Sequence, residues 1–224
     1  NQPEIASIRY GIQGDLFSQT NAKTPYLIPK TFDNSNYQLI NNLDDFAKLI
    51  ELLQTCKCFA FNTETSGLDP FTDIVIGISF CIEEGKAYYL AFNDTTFTLK
   101  KLSVFLREIF ESPSIMKVAH DLKFDYKLLK KYGILVKSPC FDTMIAHYLV
   151  NQDVKHSLIY LSETYLSHKP IAFEDILPFK NIGTEQLLRV PIEIMKDYSC
   201  ENADIALRLK NLLEIELKQN GLIK

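Results

Sequence analysis

The chain has 224 residues, 46% hydrophobic and 23% charged, and its 24 Lys plus Arg against 28 Asp plus Glu give a formal net charge of −4. That length supports one sizeable core with an appendage and is short for two full domains. No apolar run approaches the roughly 18 to 20 residues that span a bilayer, so membrane insertion is not expected. The acidic balance argues against a domain that grips duplex nucleic acid by bulk positive charge.

Residues 1–35 carry Gly11, Gly14, Pro25 and Pro29 among many polar residues and show no periodicity, so they read as an irregular leader or inter-domain linker. The chain opens on Asn1 with no signal-like segment after it, and is expected to be a piece of a longer protein. Residues 36–224 read as one domain. A short strand is expected at Tyr37–Ile40, then a helix capped by Asn42 with Leu43, Phe46, Leu49, Ile50 and Leu53 on one face. Cys58–Thr63 suits a buried strand. Ile74–Ile82 and Ala87–Ala91 follow as strands joined at Glu84-Gly85-Lys86, which predicts an antiparallel meander.

Helix and strand then alternate. Leu99–Glu111 is expected to be helical with Leu102, Phe105, Leu106 and Ile109 inward, Ile115–Ala119 a strand, and Leu122–Tyr132 a helix closed by Gly133. Asp142-Thr143 opens a helix over Met144–Val150, and Ser157–Leu166 is another. Pro191 suits the first turn of a long final helix running to about Leu217. The expected fold class is α/β, a mixed sheet of antiparallel meander plus parallel strands flanked by helices. The five cysteines (Cys56, Cys58, Cys81, Cys140, Cys200) are scattered without zinc-ligand spacing and read as free thiols of a reducing, cytoplasmic setting.

Three stretches carry chemistry. On a strand, Asn62 and Glu64 point to the same side and end at a turn at Gly67, although a polar strand end would look the same. His120-Asp121-Leu122-Lys123-Phe124-Asp125 opens a helix, where acids also simply favour the helix dipole. Tyr198 and Asn202 lie four apart on one helix face, while Asp204 turns away, and an exposed face would explain them equally well.

Taken together, the three stretches resemble the motifs of DEDD-type 3′–5′ exonucleases with a Tyr in the third motif, Asp-x-Glu, Phe/Tyr-Asp and Tyr-x-x-x-Asp. They fall on Asn62/Glu64, Phe124-Asp125 and Tyr198/Asn202. Phe141-Asp142-Thr143-Met144, His156-Ser157-Leu158, Leu161–Leu166 and Phe173-Glu174-Asp175-Ile176 extend the resemblance to the proofreading domain of bacterial DNA polymerase I, from about residue 36 to 218. The resemblance implies a ribonuclease H-like fold and a site for two divalent cations, Mg²⁺ or Mn²⁺, one activating water and one stabilising the leaving 3′ oxygen. It also implies a single-stranded DNA 3′ end as substrate and a polymerase domain C-terminal to this one in the full chain. Glu64, Asp125, Asn62 and Asn202 fall at the ligand positions, Tyr198 at the water-orienting position, and Leu68 where the family wedges an apolar residue against the terminal bases. Phe173 is a candidate base platform and Lys123 a candidate phosphate contact, beside plainer readings as core and solvated face.

Asn62 and Asn202 stand where the family has Asp. Asn keeps the shape and a carbonyl ligand but loses the charge. One unit charge at about 4 Å in an effective dielectric of about 20 is worth roughly 4 kcal/mol. Impaired or absent hydrolysis is therefore expected, whether the Asn pair is engineered or natural. Asp121, commonly Asn in such motifs, is a candidate for returning some negative charge. A catalytically silent DNA-binding or structural module is the alternative reading, and a ribonuclease D-like RNA-trimming enzyme a further one.

Overall fold

A computed structural model describes residues 32–93, 97–177, 187 and 189–223. Of the leader expected over residues 1–35, only the last four residues fall in that range, and they form no helix or strand. Six strands follow: β1 (Gln38–Ile40), β2 (Cys58–Thr65), β3 (Val75–Glu83), β4 (Lys86–Ala91), β5 (Met116–Ala119) and β6 (Cys140–Asp142). The helices are α1 (Leu43–Thr55), α2 (Leu99–Phe110), α3 (Leu122–Lys131), α4 (Thr143–Val150), α5 (Leu158–Leu166), α6 (Phe173–Ile176) and α7 (Ile192–Gln219).

The strands form one sheet in the order β1-β4-β3-β2-β5-β6. The expected meander is present, with β2 antiparallel to β3 and β3 to β4, turned by Gly85 at a φ of 80°. β1 pairs parallel with β4, β5 with β2, and β6 with β5. Among the described strands β3 alone runs against the others, so β2, β5 and β6 end at the same edge of the sheet. Ligand sites of open α/β sheets lie at such carboxyl ends.

Alternation along β2 distributes its side chains between two cores. Phe59 and Phe61 join Phe80 and Phe110 in an aromatic cluster under α1, α2 and α3, with ring centroids 4.8–6.1 Å apart. Ala60, opposite Cys81, faces the other way, toward Cys200, Ala203 and Leu207 of α7. The small Ala and Cys residues let this long helix lie close to the sheet. Its outer side, with Ile205, Leu209, Leu213 and Leu217, packs against Ala146 of α4 and Leu161 of α5.

Several expectations shift in detail. β2 runs to Thr65, two residues beyond the apolar run, because β3 continues to pair with it. Leu43, expected inward, is 62% exposed at the start of α1, and Phe105 is 50% exposed at an edge-on distance of 5.9 Å from Phe46. Pro191 caps α7 rather than starting it. The short β6 and α6 had no sequence signal. Asn42 caps α1 as expected, accepting from the Asp45 amide, and Gly133 follows α3 at a φ of 76°.

Candidate functional site

The extra length of β2 places Asn62 and Glu64 side by side on the face toward α7. The Asn62 Nδ2 donates to Glu64 Oε1 at 2.6 Å. A register shift between Glu64 and Thr65 breaks the pairing with β3 just there, so the strand bends at the site. Opposite Glu64 stands Gly77, where any Cβ would run into the ring of Tyr89. Glu64 is buried, and burial raises its pKa to about 7 against the pull of the Ser199 hydroxyl and the Asn62 amide. Ser199 Oγ completes no hydrogen bond of good geometry, so it acts on the carboxylate as a nearby dipole.

Thr63 points to the opposite face and donates its hydroxyl to Asp125 Oδ1. Asp125 lies in the first turn of α3, buried, with its pKa raised to about 8, first by burial and then by the charges of Asp121 and Glu64. Asp121 is not a helix-turn acid as expected. It precedes the helix in the left-handed region (φ 60°, ψ 52°), which Asp and Asn tolerate better than most residues. Asp142 takes over its capping role, accepting the Leu122 amide at 2.9 Å through one oxygen and the Met144 amide at 2.9 Å through the other. One carboxylate at the end of β6 thus fixes the starts of α3 and α4. Half-buried, Asp121 has its pKa raised by burial and by Asp142. His120 beside it is pushed down to about 4 by burial and is neutral at pH 7, its Nδ1 2.9 Å from Thr143 Oγ1.

From α7, Tyr198 and Asn202 project to the same place. The Tyr198 phenol is raised by burial and by the Glu64 charge, with a hydrogen bond to Asn202 opposing. The Phe173 ring lies 6.5 Å from the Tyr198 ring. One cleft of about 240 Å³ collects Asn62, Glu64, Asp125, Tyr198, Asn202, Leu68 and Phe173 on its walls, with His120 and Asp121 beside them. Lys123 is exposed on α3 and is not among the cleft residues. Phe124 of the second motif lines the cleft too, and so do Thr63, Thr65 and Leu187, which were not singled out from sequence. Strand alternation carried a signal for the two threonines, whereas Leu187 lies in a stretch without any motif.

The far side of α7 holds a second polar group. Asp204, fully buried and turned from the cleft, accepts from the Tyr37 hydroxyl at 2.9 Å, the Gly85 amide at 3.1 Å and Arg208 Nε at 2.8 Å. Glu201 accepts the Ile171 amide at 2.7 Å and lies 2.9 Å from His168 Nε2, its pKa raised to about 7 by burial. These contacts fix the rotation of α7, and hence the aim of Tyr198 and Asn202.

The donors present do not suit a pair of divalent cations. Two carboxylates and two neutral amides leave most of the charge of two such ions unbalanced. Burial raises the pKa of both carboxyls in the metal-free site, so a cation there competes with a proton. Among the described residues no group of three or more His, Cys, Asp or Glu side chains is placed to hold a metal.

A family model described as 3′-5′ exonuclease matches residues 37–218. The DNA polymerase I of Borreliella burgdorferi is 36% identical over 222 residues, which cover 95% of this chain and 23% of that protein. The DNA polymerase I of Pseudomonas aeruginosa is 29% identical over 189 residues, covering 80% of this chain and 20% of that protein. The chain therefore spans less than a quarter of the length of these relatives. Among solved structures, Escherichia coli RNase D, described as an exoribonuclease involved in structured RNA processing, superposes with a TM-score of 0.65. It is 20% identical, over 84% of this chain and 47% of that one. At that identity the likeness shows the fold alone, and the fold is ribonuclease H-like.

Proposed function

Because this chain belongs to the 3′–5′ exonuclease family of DNA polymerase I, we propose that its cleft receives the single-stranded 3′ end of DNA but does not hydrolyse it at a useful rate. The observation that carries this reading is the meeting of all three motifs in one cleft, with neutral amides at two of the four family ligand positions. In the family, divalent cations supply the activated water and stabilise the leaving oxygen. Losing even one ligand charge is worth roughly 4 kcal/mol, about a thousandfold in rate. The same exchange favours holding DNA without metal. Two fewer negative charges face the phosphodiester, and each amide offers N–H donors to its oxygens. Leu68 packs against the terminal base, and Phe173 and Tyr198 offer aromatic surface to the nucleotide. The polymerase domain of the relatives is proposed to follow this one in the full chain, with the work of the whole in DNA replication and repair.

The test is the double variant Asn62→Asp with Asn202→Asp. Parent and variant are both expected to bind a fluorescent single-stranded 3′ end in EDTA, and only the variant to release nucleoside monophosphates with Mg²⁺. Digestion by the parent at the variant's rate would refute the silent site. Failure of both proteins to bind would refute the 3′-end reading.

A further inference from the structure

The loop between β2 and β3 is tightly built, yet it holds two large apolar side chains out to solvent, Leu68 at 82% exposed and Phe71 at 70%. Asp73 staples it, accepting from the Ser66 hydroxyl at 3.0 Å and the Asp69 amide at 2.7 Å. Asp69 in turn accepts the Phe71 amide at 2.9 Å. Gly67 lies where any Cβ would strike the Asp73 carboxylate. Lys131 of α3 donates to the Asp73 carbonyl at 2.6 Å and ties the loop to the helix. The exposure of Phe71 is therefore held by the hydrogen bonds around it. Leu68 belongs to the cleft, whereas Phe71 is not among its lining residues.

Phe71 has company of opposite character. Lys127 Nζ stands 5.8 Å from the centre of its ring. Lys123, Lys127 and Lys131 recur every four residues along α3, all exposed, with Lys130 beside them. Like charges at that spacing repel and weaken a helix. Among the described residues no carboxylate comes within ion-pair distance of them, although Lys131 acts at longer range on Asp69, and Lys123 and Lys127 on Asp121. An exposed aromatic ring next to a row of cations, continuous with the cleft through Leu68, matches what single-stranded nucleic acid offers: a flat base and a polyanionic backbone.

We propose that Phe71 and Lys127 form a second nucleotide subsite outside the cleft, where an upstream base of single-stranded DNA stacks on Phe71 and Lys127 takes a neighbouring phosphate. The subsite rests on the reading of the cleft as a 3′-end site, since it continues the same strand.

The chain contains no tryptophan, so Phe71→Trp gives a protein whose only indole sits at the proposed contact. Its emission is to be followed against oligothymidylates of two to eight nucleotides in EDTA, with anisotropy of labelled oligomers reporting total binding. Quenching by the longer oligomers but not by the dinucleotide is expected. Phe71→Ala is expected to weaken the longer oligomers by about tenfold while leaving the dinucleotide unchanged. Lys127→Gln is expected to lower the slope of log affinity against log salt by about 0.7. An unmoved indole alongside clear oligomer binding overturns the second subsite and leaves the cleft reading intact. Absence of binding at every length overturns both together.

Discussion

Asn62→Asp is expected to destabilise the metal-free protein in a pH-dependent way and to make its stability respond to divalent cations. The parent places the Asn62 amide 2.6 Å from Glu64 Oε1, and a hydrogen bond to a charged group contributes about 1.5 to 3 kcal/mol. With Asp there, two carboxylates face each other, and even relaxed to about 4 Å in an effective dielectric of about 20 they repel by roughly 4 kcal/mol. A shared proton offers a cheaper arrangement. Glu64 already takes a proton with a pKa of about 7, and holding it above that value costs about 1.4 kcal/mol per pH step. The expected loss is thus about 1 kcal/mol at pH 6 and about 3 kcal/mol at pH 8, the latter lowering the melting temperature by about 6 to 12 °C for a domain of this size. Manganese at a hundred times its dissociation constant should return about 2.7 kcal/mol to the variant, and much less to the parent. Thermal unfolding by circular dichroism at both pH values, in EDTA and in Mn²⁺, reads all four numbers. Identical melting of parent and variant in EDTA, or equal manganese shifts in both, would refute the reasoning.

Glu64→Gln should flatten the pH dependence of stability. Because burial raises the carboxyl from its ordinary 4.5 to about 7, the parent has its full contribution below about pH 4.5 and loses it as pH rises through 7. That loss amounts to about 3 kcal/mol, and it disappears in the variant. Urea unfolding at pH 5 and pH 8.5 measures both slopes, and parallel slopes would show that Glu64 does not titrate in this way. Arg208→Met should cost about 3 kcal/mol by leaving the buried Asp204 carboxylate with only the neutral donors Tyr37, Gly85 and Cys81. Adding Asp204→Asn should recover part of that loss in a double-mutant cycle, and strict additivity would mean that the two residues act separately.

Local rules carried the reading of the elements a long way. The β-branched and aromatic runs marked β2, β3 and β4, Gly85 and Gly133 marked two of the backbone positions with positive φ, and Asn42 marked the start of α1. What local rules do not contain is pairing across distance. That β1 lies beside β4, and that three residues around Phe141 form an edge strand, depends on partners 23 or more positions away. In the cleft, the two-residue alternation of Asn62 and Glu64 and the four-residue step from Tyr198 to Asn202 were legible, as was the turn of Asp204 away from Asn202. Two of its partners were not, because Tyr37 and Gly85 reach it from 167 and 119 residues away, unlike Arg208 one turn along the helix. Asp121 misled because a residue just before a helix and one in its first turn look alike in sequence, while a left-handed backbone gives them different surroundings.

The two cores on either side of β2 have a consequence for how such a protein tolerates change. Phe59 and Phe61 anchor one core and Ala60 the other, while Asn62 and Asn202 sit only half-buried in the cleft. An exchange at Asn202 changes the chemistry of the cleft while leaving the buried side chains of both cores in place. A deep mutational scan scored for folding alone should therefore be more permissive at 202 than at 59 and 61, and reactivity can drift there while the outline of the cleft stays constant.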